Sequence, residues 1–191
     1  MDNPDLIYEI ITHSDLDTII NLCNSSPQFN QLCQKPRVMN IINRLIEERR
    51  QMARRRLIDM LYTYIKKSDT SYMVVFDLIM DGVQNSYELI PFSDDITIVE
   101  HYSFIPGTHI PSTRSKIKND ELLQLLNFFI DNNAVFELTP YEINFNTLQS
   151  LYSDVFNTKS VTYELIEPFR DKSHYKVKIK AHDFLNNYQL Q

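Results

Sequence analysis

Glycine is scarce in this sequence, and tryptophan is absent. The 191 residues include two glycines, Gly82 and Gly107. Loops that cradle phosphate groups need glycine where the backbone must approach the ligand closely. Two glycines this far apart form neither a G-x-G-x-x-G nor a G-x-x-x-x-G-K-[ST] loop, so we do not expect nucleotide binding of either kind.

Long apolar runs are also missing. No stretch approaches the roughly 18 consecutive apolar residues that are needed to span a bilayer. The N-terminal segment "MDNPDLIYEI" has no basic part and carries acidic residues, unlike a signal peptide. These features predict a soluble intracellular protein that does not bind membranes, in a reducing compartment where thiols stay free.

Motifs for catalysis and metal binding are lacking as well. The five histidines form no H-x-H, H-E-x-x-H or H-x₃-H pattern, and no G-x-S-x-G occurs. The least implausible hydrolytic corner joins His101 on a predicted strand to His109 in the following loop. Its candidate nucleophiles, supported only by proximity in sequence, are Ser112, Ser115 and Cys33. We therefore predict no enzymatic activity, no metal and no cofactor.

Charge is distributed unevenly along the chain, whose formal net charge is −6. Residues 1–67 hold 10 Lys and Arg against 8 Asp and Glu, a balance of +2, and residues 68–191 hold 9 against 17, a balance of −8. The acidic second part argues against broad attraction to nucleic acid or anionic membranes. A 43% share of hydrophobic residues, with 11 Phe and 11 Tyr, is ample for a buried core.

The first third of the sequence has the apolar spacing of amphipathic helices. Ser14 or Asp15 can cap the second of three short helices, and Ser26 can cap the third. From residue 37 to residue 67 no Gly or Pro interrupts the chain. This predicts either one helix of about 30 residues or two helices that break near the arginines. We assign residues 1–67 to one helical region.

Both cysteines lie in this region, within "SDLDTIINLCNSSPQFNQLC". Zinc sites commonly use C-x₂₋₄-C pairs and about four ligands, whereas Cys23 and Cys33 are separated by nine residues. A catalytic thiol needs a histidine partner that no local motif supplies, and a reducing compartment disfavours a disulfide. Because both cysteines sit beside leucines on apolar helix faces, we predict that they are small core residues.

The segment 3–36 resembles an F-box. That family reads as short helices with a Leu-Pro start, an acidic Asp-Leu step, a Leu-Cys pair and a Phe followed by a Leu. The matching residues here are Pro4, Leu6, Ile7, Glu9, Ile10, Asp15, Leu16, Leu22, Cys23, Phe29 and Leu32. The segment is especially similar to F-box-like modules at the N-termini of proteins from giant DNA viruses. Asn3 replaces the usual leucine before the proline, and the usual closing tryptophan is absent.

The resemblance implies a non-enzymatic adaptor in a ubiquitin ligase complex. In that family the F-box helices bind Skp1, and the following domain captures a target. The residues expected to contact a Skp1-type partner are Pro4, Leu6, Ile7, Ile10, Leu16, Ile19, Leu22 and Phe29. In the alternative interpretation these side chains cover the protein's own core, and the chain is a viral structural or accessory protein, such as a minor virion component. A viral protein of either kind is expected in the host cytoplasm or in the virion.

A cluster of arginines lies in the middle of the predicted long helix. Basic clusters can bind nucleic acid, and the candidates for such a role are Arg49, Arg50, Arg54, Arg55 and Arg56. A helix spreads these residues around its axis, and the acidic Glu47, Glu48 and Asp59 flank them. No aromatic residue is interleaved with them, as readers of single strands require. We therefore favour a solvated or internally paired helix face over a nucleic-acid interface.

Residues 68–191 have the pattern of an α+β domain with an antiparallel sheet and two or three helices. The predicted fold class of the whole chain is α+β, with the helical N-terminal third packed on this domain. Three stretches rich in β-branched and aromatic residues predict a meander whose first turn is Asp81-Gly82. "NDELLQLLNFFIDNN" predicts a helix, and "TPYE" from Thr139 is a capping box for another.

Two further segments of this domain have polar patterns. Residues 106–118 contain two prolines and several Ser and Thr, which is typical of a long loop. "SVTYELIEPFRDKSHYKVKIKAH" predicts two strands with a charged turn. In the second of these strands Lys176, Lys178 and Lys180 form a row. Such a row could contact phosphate in a nucleic acid, but we favour its interpretation as protection of an exposed sheet edge.

Overall fold

The fold is α+β, as the sequence predicts. The structure is a computed structural model that describes residues 4–67, 73–105, 108–109, 112–138, 144–169 and 172–188. The helices are α1 Pro4–His13, α2 Leu16–Ser25, α3 Pro27–Cys33, α4 Pro36–Lys67, α5 Asn119–Asp131, α6 Asn144–Leu151, α7 Ser153–Phe156 and α8 Ala181–Asn187. The strands are β1 Met73–Met80, β2 Val83–Pro91, β3 Ile96–Ile105, β4 Thr108–His109, β5 Thr113–Lys118, β6 Val135–Leu138, β7 Val161–Phe169 and β8 Lys172–Lys180.

The short N-terminal helices begin where the sequence places their caps. The Asp15 carboxylate accepts hydrogen bonds from the backbone N–H of Thr18 at 2.8 Å and from its hydroxyl at 2.9 Å, and these bonds lower the pKa of Asp15. The Ser26 hydroxyl accepts from the N–H of Phe29 at 3.3 Å, with Pro27 at the first position of α3. Helix α4 runs unbroken through the arginines, so the one-helix alternative is the correct one.

The chain divides into two compact units, Met1–Met52 and Ala53–Gln191. The division falls inside α4, whereas the sequence placed a domain boundary at 67. The first unit has a small buried cluster drawn from α1, α2, α3 and the first turn of α4. Its members are Ile11, Ile19, Cys23, Cys33 and Val38.

The second unit is built on one antiparallel sheet with the strand order β4-β3-β2-β1-β6-β8-β7, and β5 also pairs with β3. The predicted meander β1-β2-β3 is confirmed. Its first turn is Asp81-Gly82, where φ is positive at both residues (51° and 77°). A two-residue hairpin of this type needs two residues that tolerate the left-handed region, and Asp-Gly meets that need.

The core of the second unit lies between one face of the sheet and its helices. The second half of α4 contributes Leu57, Leu61 and Ile65, all fully buried, and α5 contributes Phe129. The sheet contributes alternate residues, such as Phe136 of β6. This alternation follows from the two-residue period of a strand, which sends neighbouring side chains to opposite faces.

Part of the predicted loop 106–118 is in fact strand. Thr113–Lys118 forms β5, which pairs with Ile96–His101 of β3, and Thr108–His109 forms β4. The polar composition hid the strand because β5 pairs on one side only and five of its six residues are exposed. The predicted capping box at Thr139 lies outside the described residues.

The lysine row does not lie at a sheet edge, and this prediction was wrong. Strand β8 pairs with β6 on one side and with β7 on the other. Its lysines instead neutralise a buried carboxylate: Glu137 of β6 is nearly inaccessible and forms ion pairs with Lys176 and, at 3.8 Å, with Lys178. Lys178 also pairs with Glu164 of β7 at 3.1 Å. A buried charge needs such partners, which explains the position of the row.

Candidate protein-interaction surface on the helical unit

The helices of the first unit carry apolar residues on two faces. One face packs inward: Ile11 of α1 and Ile19 of α2 are fully buried. The residues beside them point the other way, because Ile10 is 50% exposed and Ile20 is 40% exposed. A short helix that buries one stripe and exposes a second has apolar surface available for a partner.

Helix α4 of the same unit also exposes apolar residues. Met39 and Ile46 are seven residues apart, a spacing that places both on the same side of a helix, and both are exposed. Ile42 lies between them in this spacing and is half-buried against the cluster of the unit. We define the exposed apolar set as Ile10, Ile20, Met39 and Ile46.

The structure separates the eight residues that the F-box resemblance assigned to a partner. Leu16 and Ile19 are buried, and Ile19 belongs to the core of the unit. Ile10 is exposed. Three others are half-buried, and these are Ile7, Leu22 and Phe29. Pro4 and Leu6 belong to α1, and their side chains lie outside the described part of the structure.

Sequence reasoning missed Ile20, Met39 and Ile46 as surface residues. The sequence does contain a signal for these three residues. Each lies next to or between residues of the buried stripe, but at a position that turns its side chain to another side of the helix. Ile19 and Ile20, or Val38 and Met39, cannot both face one core when successive residues are about 100° apart on a helix. The periodicity alone does not tell which member of each pair faces inward.

The two cysteines form a disulfide, which corrects the prediction of free thiols. Cys23 of α2 and Cys33 of α3 are bonded, with their Cα atoms 5.8 Å apart. Their burial matches the prediction of core positions. The covalent bond was missed because the argument from compartment excluded it, although two helices joined by a single residue bring the two side chains close together.

Two polar contacts join α4 to the short helices of this unit. The Arg37 guanidinium lies 3.5 Å from the ring centroid of Tyr8, a cation–π contact between α4 and α1. Arg49 donates two hydrogen bonds to Asp17 of α2, at 3.0 and 2.9 Å. This bidentate pair gives the geometry that guanidinium and carboxylate prefer.

The other paired arginines belong to the second unit. Arg54 donates to Asn127 and Asp131 of α5, and its hydrogen bonds lower the pKa of Asp131. Arg56 donates to Asp154 at 2.8 and 3.0 Å, and to the carbonyl of Leu151 at 2.7 Å. These contacts, with that of Arg49, favour internal pairing over a nucleic-acid interface, since three of the five cationic groups already have partners.

A polar network surrounds Arg56. Tyr188 donates to Asp154 at 2.6 Å, and burial together with this bond raises the pKa of Tyr188 to about 12. Burial opposes ionisation of Asp154, but the hydrogen bonds from Arg56 and Tyr188 outweigh it and lower the pKa of that carboxyl. Arg56 also lies 4.5 Å from the ring centroid of Tyr152. The network ties α4 to α7 and to the residue after α8.

The described part of the proposed hydrolytic corner centres on His101, whose Nε2 is already engaged in hydrogen bonds. His101 Nε2 lies 2.8 Å from Asn85 Oδ1 and 3.1 Å from the Ser103 hydroxyl. The Asn85 amide nitrogen donates to the carbonyl of Val83 at 2.9 Å, so Oδ1 is the acceptor end. His101 Nε2 must then carry a hydrogen, and it cannot take one from Ser103.

The candidate nucleophiles of that corner are exposed or already bonded. Ser112 and Ser115 are exposed, Cys33 is in the disulfide, and the side chain of His109 lies outside the described part. The His101 ring stacks on Tyr87 with centroids 4.4 Å apart, which is a packing contact. Across the described ranges, no group of three or more His, Cys, Asp or Glu side chains is placed to hold a metal ion.

Comparison with known proteins returned no relative: no protein-family model, curated protein or solved structure matches the chain. Within the described residues, no helix has both the length and the apolar character that crossing a bilayer requires.

Proposed function

We propose that this is a non-enzymatic protein–protein interaction protein, an F-box-like adaptor whose N-terminal helices bind a Skp1-type partner. The observation that carries the proposal is the exposure of Ile10 and Ile20 next to the buried Ile11 and Ile19. The unit's own core uses one apolar face of α1 and of α2, and the second face is available to a partner.

Charged side chains of this unit pair with one another, as Arg49 with Asp17 and Arg44 with Glu48 show. This pairing is consistent with a partner that is recognised through apolar contacts. Burial of Ile10, Ile20, Met39 and Ile46 by a partner would supply the kind of apolar centre around which interfaces form. The F-box resemblance supplies the class of partner.

Co-purification of the full chain with a Skp1-type protein tests this proposal, with size-exclusion chromatography as the readout. We expect one co-eluting complex of equal stoichiometry. Two folded proteins that elute separately would contradict the adaptor function.

Adjacent residues provide matched variants for the same experiment. Ile10→Asp and Ile20→Asp place a charge on the surface, so they should abolish co-elution and leave the circular dichroism spectrum unchanged. Ile11→Asp and Ile19→Asp bury a charge and should unfold the unit. If Ile10→Asp and Ile20→Asp both bind like the unaltered chain, the partner does not use this face.

A second candidate function is a structural or accessory role, such as a minor virion component. It is favoured by apolar exposure on the second unit, where Ile79 of β1 is 68% exposed and Phe104 of β3 is also exposed. Both residues pair in register with Gln84 of β2, so they lie in one row across three strands. In this case the chain should self-assemble on its own, and Ile79→Lys should prevent assembly, as light scattering would show.

A further inference from the structure

The disulfide bridges two helices that are joined by a single residue. Helix α2 ends at Ser25 and α3 begins at Pro27, so Ser26 alone connects them. Cys23 lies in the last turn of α2 and Cys33 is the final residue of α3, ten positions later. The bond therefore restrains how α3 packs against α2, which the connecting residue cannot do alone.

Helix α3 buries few side chains that could hold it in place. It has seven residues, and an isolated helix of this length is not stable in water. Cys33 is its one buried side chain, Leu32 is half-buried against the cluster of the unit, and Phe29 is half-buried. The cap from Ser26 to Phe29 is a local contact and does not attach α3 to its neighbours.

The disulfide also forms a large part of the buried cluster. Two of its five buried members are the half-cystines, and the other three are Ile11, Ile19 and Val38. Reduced thiols are still small apolar groups that can occupy the same positions. Reduction would therefore remove the covalent restraint on α3 without placing a charge in the core.

We infer that the Cys23–Cys33 disulfide is a redox switch on the partner-binding surface. When the bond is present, α3 is fixed on the unit together with Phe29; when it is reduced, α3 is held by side-chain packing alone, opens more often, and partner binding weakens. The consequence for binding rests on the proposed function, because Phe29 is one of the residues assigned to the partner. The change in α3 itself does not depend on that function.

The chemistry is a thiol–disulfide exchange with a small-molecule disulfide such as oxidised glutathione. The two cysteine thiols lose two electrons and two protons as the Sγ–Sγ bond forms, and the glutathione disulfide is reduced to two thiols. Cys23 is 9% exposed and Cys33 is 6% exposed, in contrast to the fully buried Ile11 and Ile19. A small opening of α3 therefore suffices to admit the exchange partner.

Thiol alkylation tests whether the bond exists in solution. The full chain is equilibrated in glutathione buffers of graded redox ratio, quenched with acid, alkylated with N-ethylmaleimide and weighed by mass spectrometry. We expect a transition from no alkylated thiol to two, with the state of no alkylated thiol dominant in oxidised glutathione. Two free thiols in every buffer would overturn the inference.

Hydrogen exchange tests whether the bond controls α3. On reduction we expect the backbone amides of residues 29–33 to exchange at least about tenfold faster, with those of residues 53–67 unchanged. A Cys23→Ala/Cys33→Ala variant is the matched control and should show fast exchange of residues 29–33 in both buffers. If the disulfide forms in the unaltered chain and these amides are equally protected after reduction, the switch is disproved.

The binding readout separates this inference from the proposed function. Co-purification with the Skp1-type partner in oxidised and in reduced buffer should give a complex only, or mainly, in the oxidised buffer. If no complex forms in either buffer, the adaptor function fails, and the hydrogen-exchange result still decides whether α3 is under redox control. If binding is equal in both buffers although hydrogen exchange of α3 increases on reduction, the claim that the disulfide controls partner binding is contradicted.

Discussion

The two units of the chain differ in how completely they bury their apolar residues. Among the described residues, the first unit, 1–52, has a cluster of five buried members, and the second unit, 53–191, has a cluster of twenty-nine. Small units bury a smaller share of their surface and have less stability to spare. The comparison indicates that the first unit has a small core that includes a disulfide, while the second has a larger core that contains no cysteine.

The largest expected effects come from charges placed in each core. Leu61→Asp should unfold the second unit, because an unpaired buried carboxylate costs about 4 kcal/mol or more and Leu61 is fully buried. Ile11→Asp should unfold the first unit by the same mechanism. Hydrogen-exchange mass spectrometry of residues 4–52 and 73–188 gives the readout. Loss of protection throughout the sheet in Ile11→Asp would break the distinction between the two units.

A smaller effect is expected from the network around Arg56. Arg56→Met removes the partner of Asp154, a mostly buried carboxylate, and should lower the free energy of unfolding by about 1–3 kcal/mol. Arg55→Met is the matched control, since Arg55 is exposed, and it should change stability by less than about 0.5 kcal/mol. Urea titration followed by circular dichroism measures both. Equal effects of the two variants would contradict the assignment of Arg56 to an internal network.

Glu88 should make the second unit more stable as pH falls. It lies directly opposite Glu100 in the β2–β3 register, while Glu100 is already engaged by Arg114 at 3.2 Å and by the Tyr102 hydroxyl at 2.8 Å. Burial, and then the charge of Glu100, raise the pKa of Glu88. A raised carboxyl pKa means that the folded state binds the proton more tightly than the unfolded state.

The sign of this effect determines the experiment. Stability contributed by Glu88 should increase as pH falls through its folded pKa and level off below its ordinary value of 4.5. The lowered pKa values of Asp131 and Asp154 act in the opposite direction at still lower pH. The difference in melting temperature between the unaltered chain and Glu88→Gln isolates the contribution. A difference that does not change between pH 7 and pH 4 would refute it.

The smallest effect is expected from the ion pair on the first unit. Arg49→Ala removes the bidentate contact with Asp17, which is half-exposed, and should cost about 0.5–1 kcal/mol. Arg50→Ala serves as the control because Arg50 is exposed on the same helix, and no change beyond about 0.3 kcal/mol is expected. Both are measured by urea titration in low salt. A loss for Arg49→Ala that is unaffected by added salt would argue against an ionic contribution.

Local signals predicted most of the fold. The caps at Asp15 and Ser26, the Asp81-Gly82 turn and the helix of residues 119–131 follow from backbone chemistry that involves neighbouring residues. Strand β5 and the interior position of β8 could not be predicted in this way. Both depend on which strands pair, and pairing is decided by contacts between residues far apart in sequence.

The candidate site was predictable in kind but not residue by residue. The F-box pattern selected helices with surplus apolar residues, yet Leu16 and Ile19 are buried while Ile20 is exposed. Which of two adjacent isoleucines is buried depends on how the helix is rotated about its axis relative to the small core. The hydrophobic periodicity does not distinguish between the two. The disulfide depends on the close approach of α2 and α3, which composition does not reveal.

The most direct test of the central claim is a hydrogen-exchange footprint of the first unit in the presence of a Skp1-type partner. The account predicts slower exchange in α1 and α2 around Ile10 and Ile20, with the amides of β1, β2 and β3 unchanged. Absence of any protection in residues 4–52 at saturating partner, or protection confined to the sheet around Ile79 and Phe104, would contradict it.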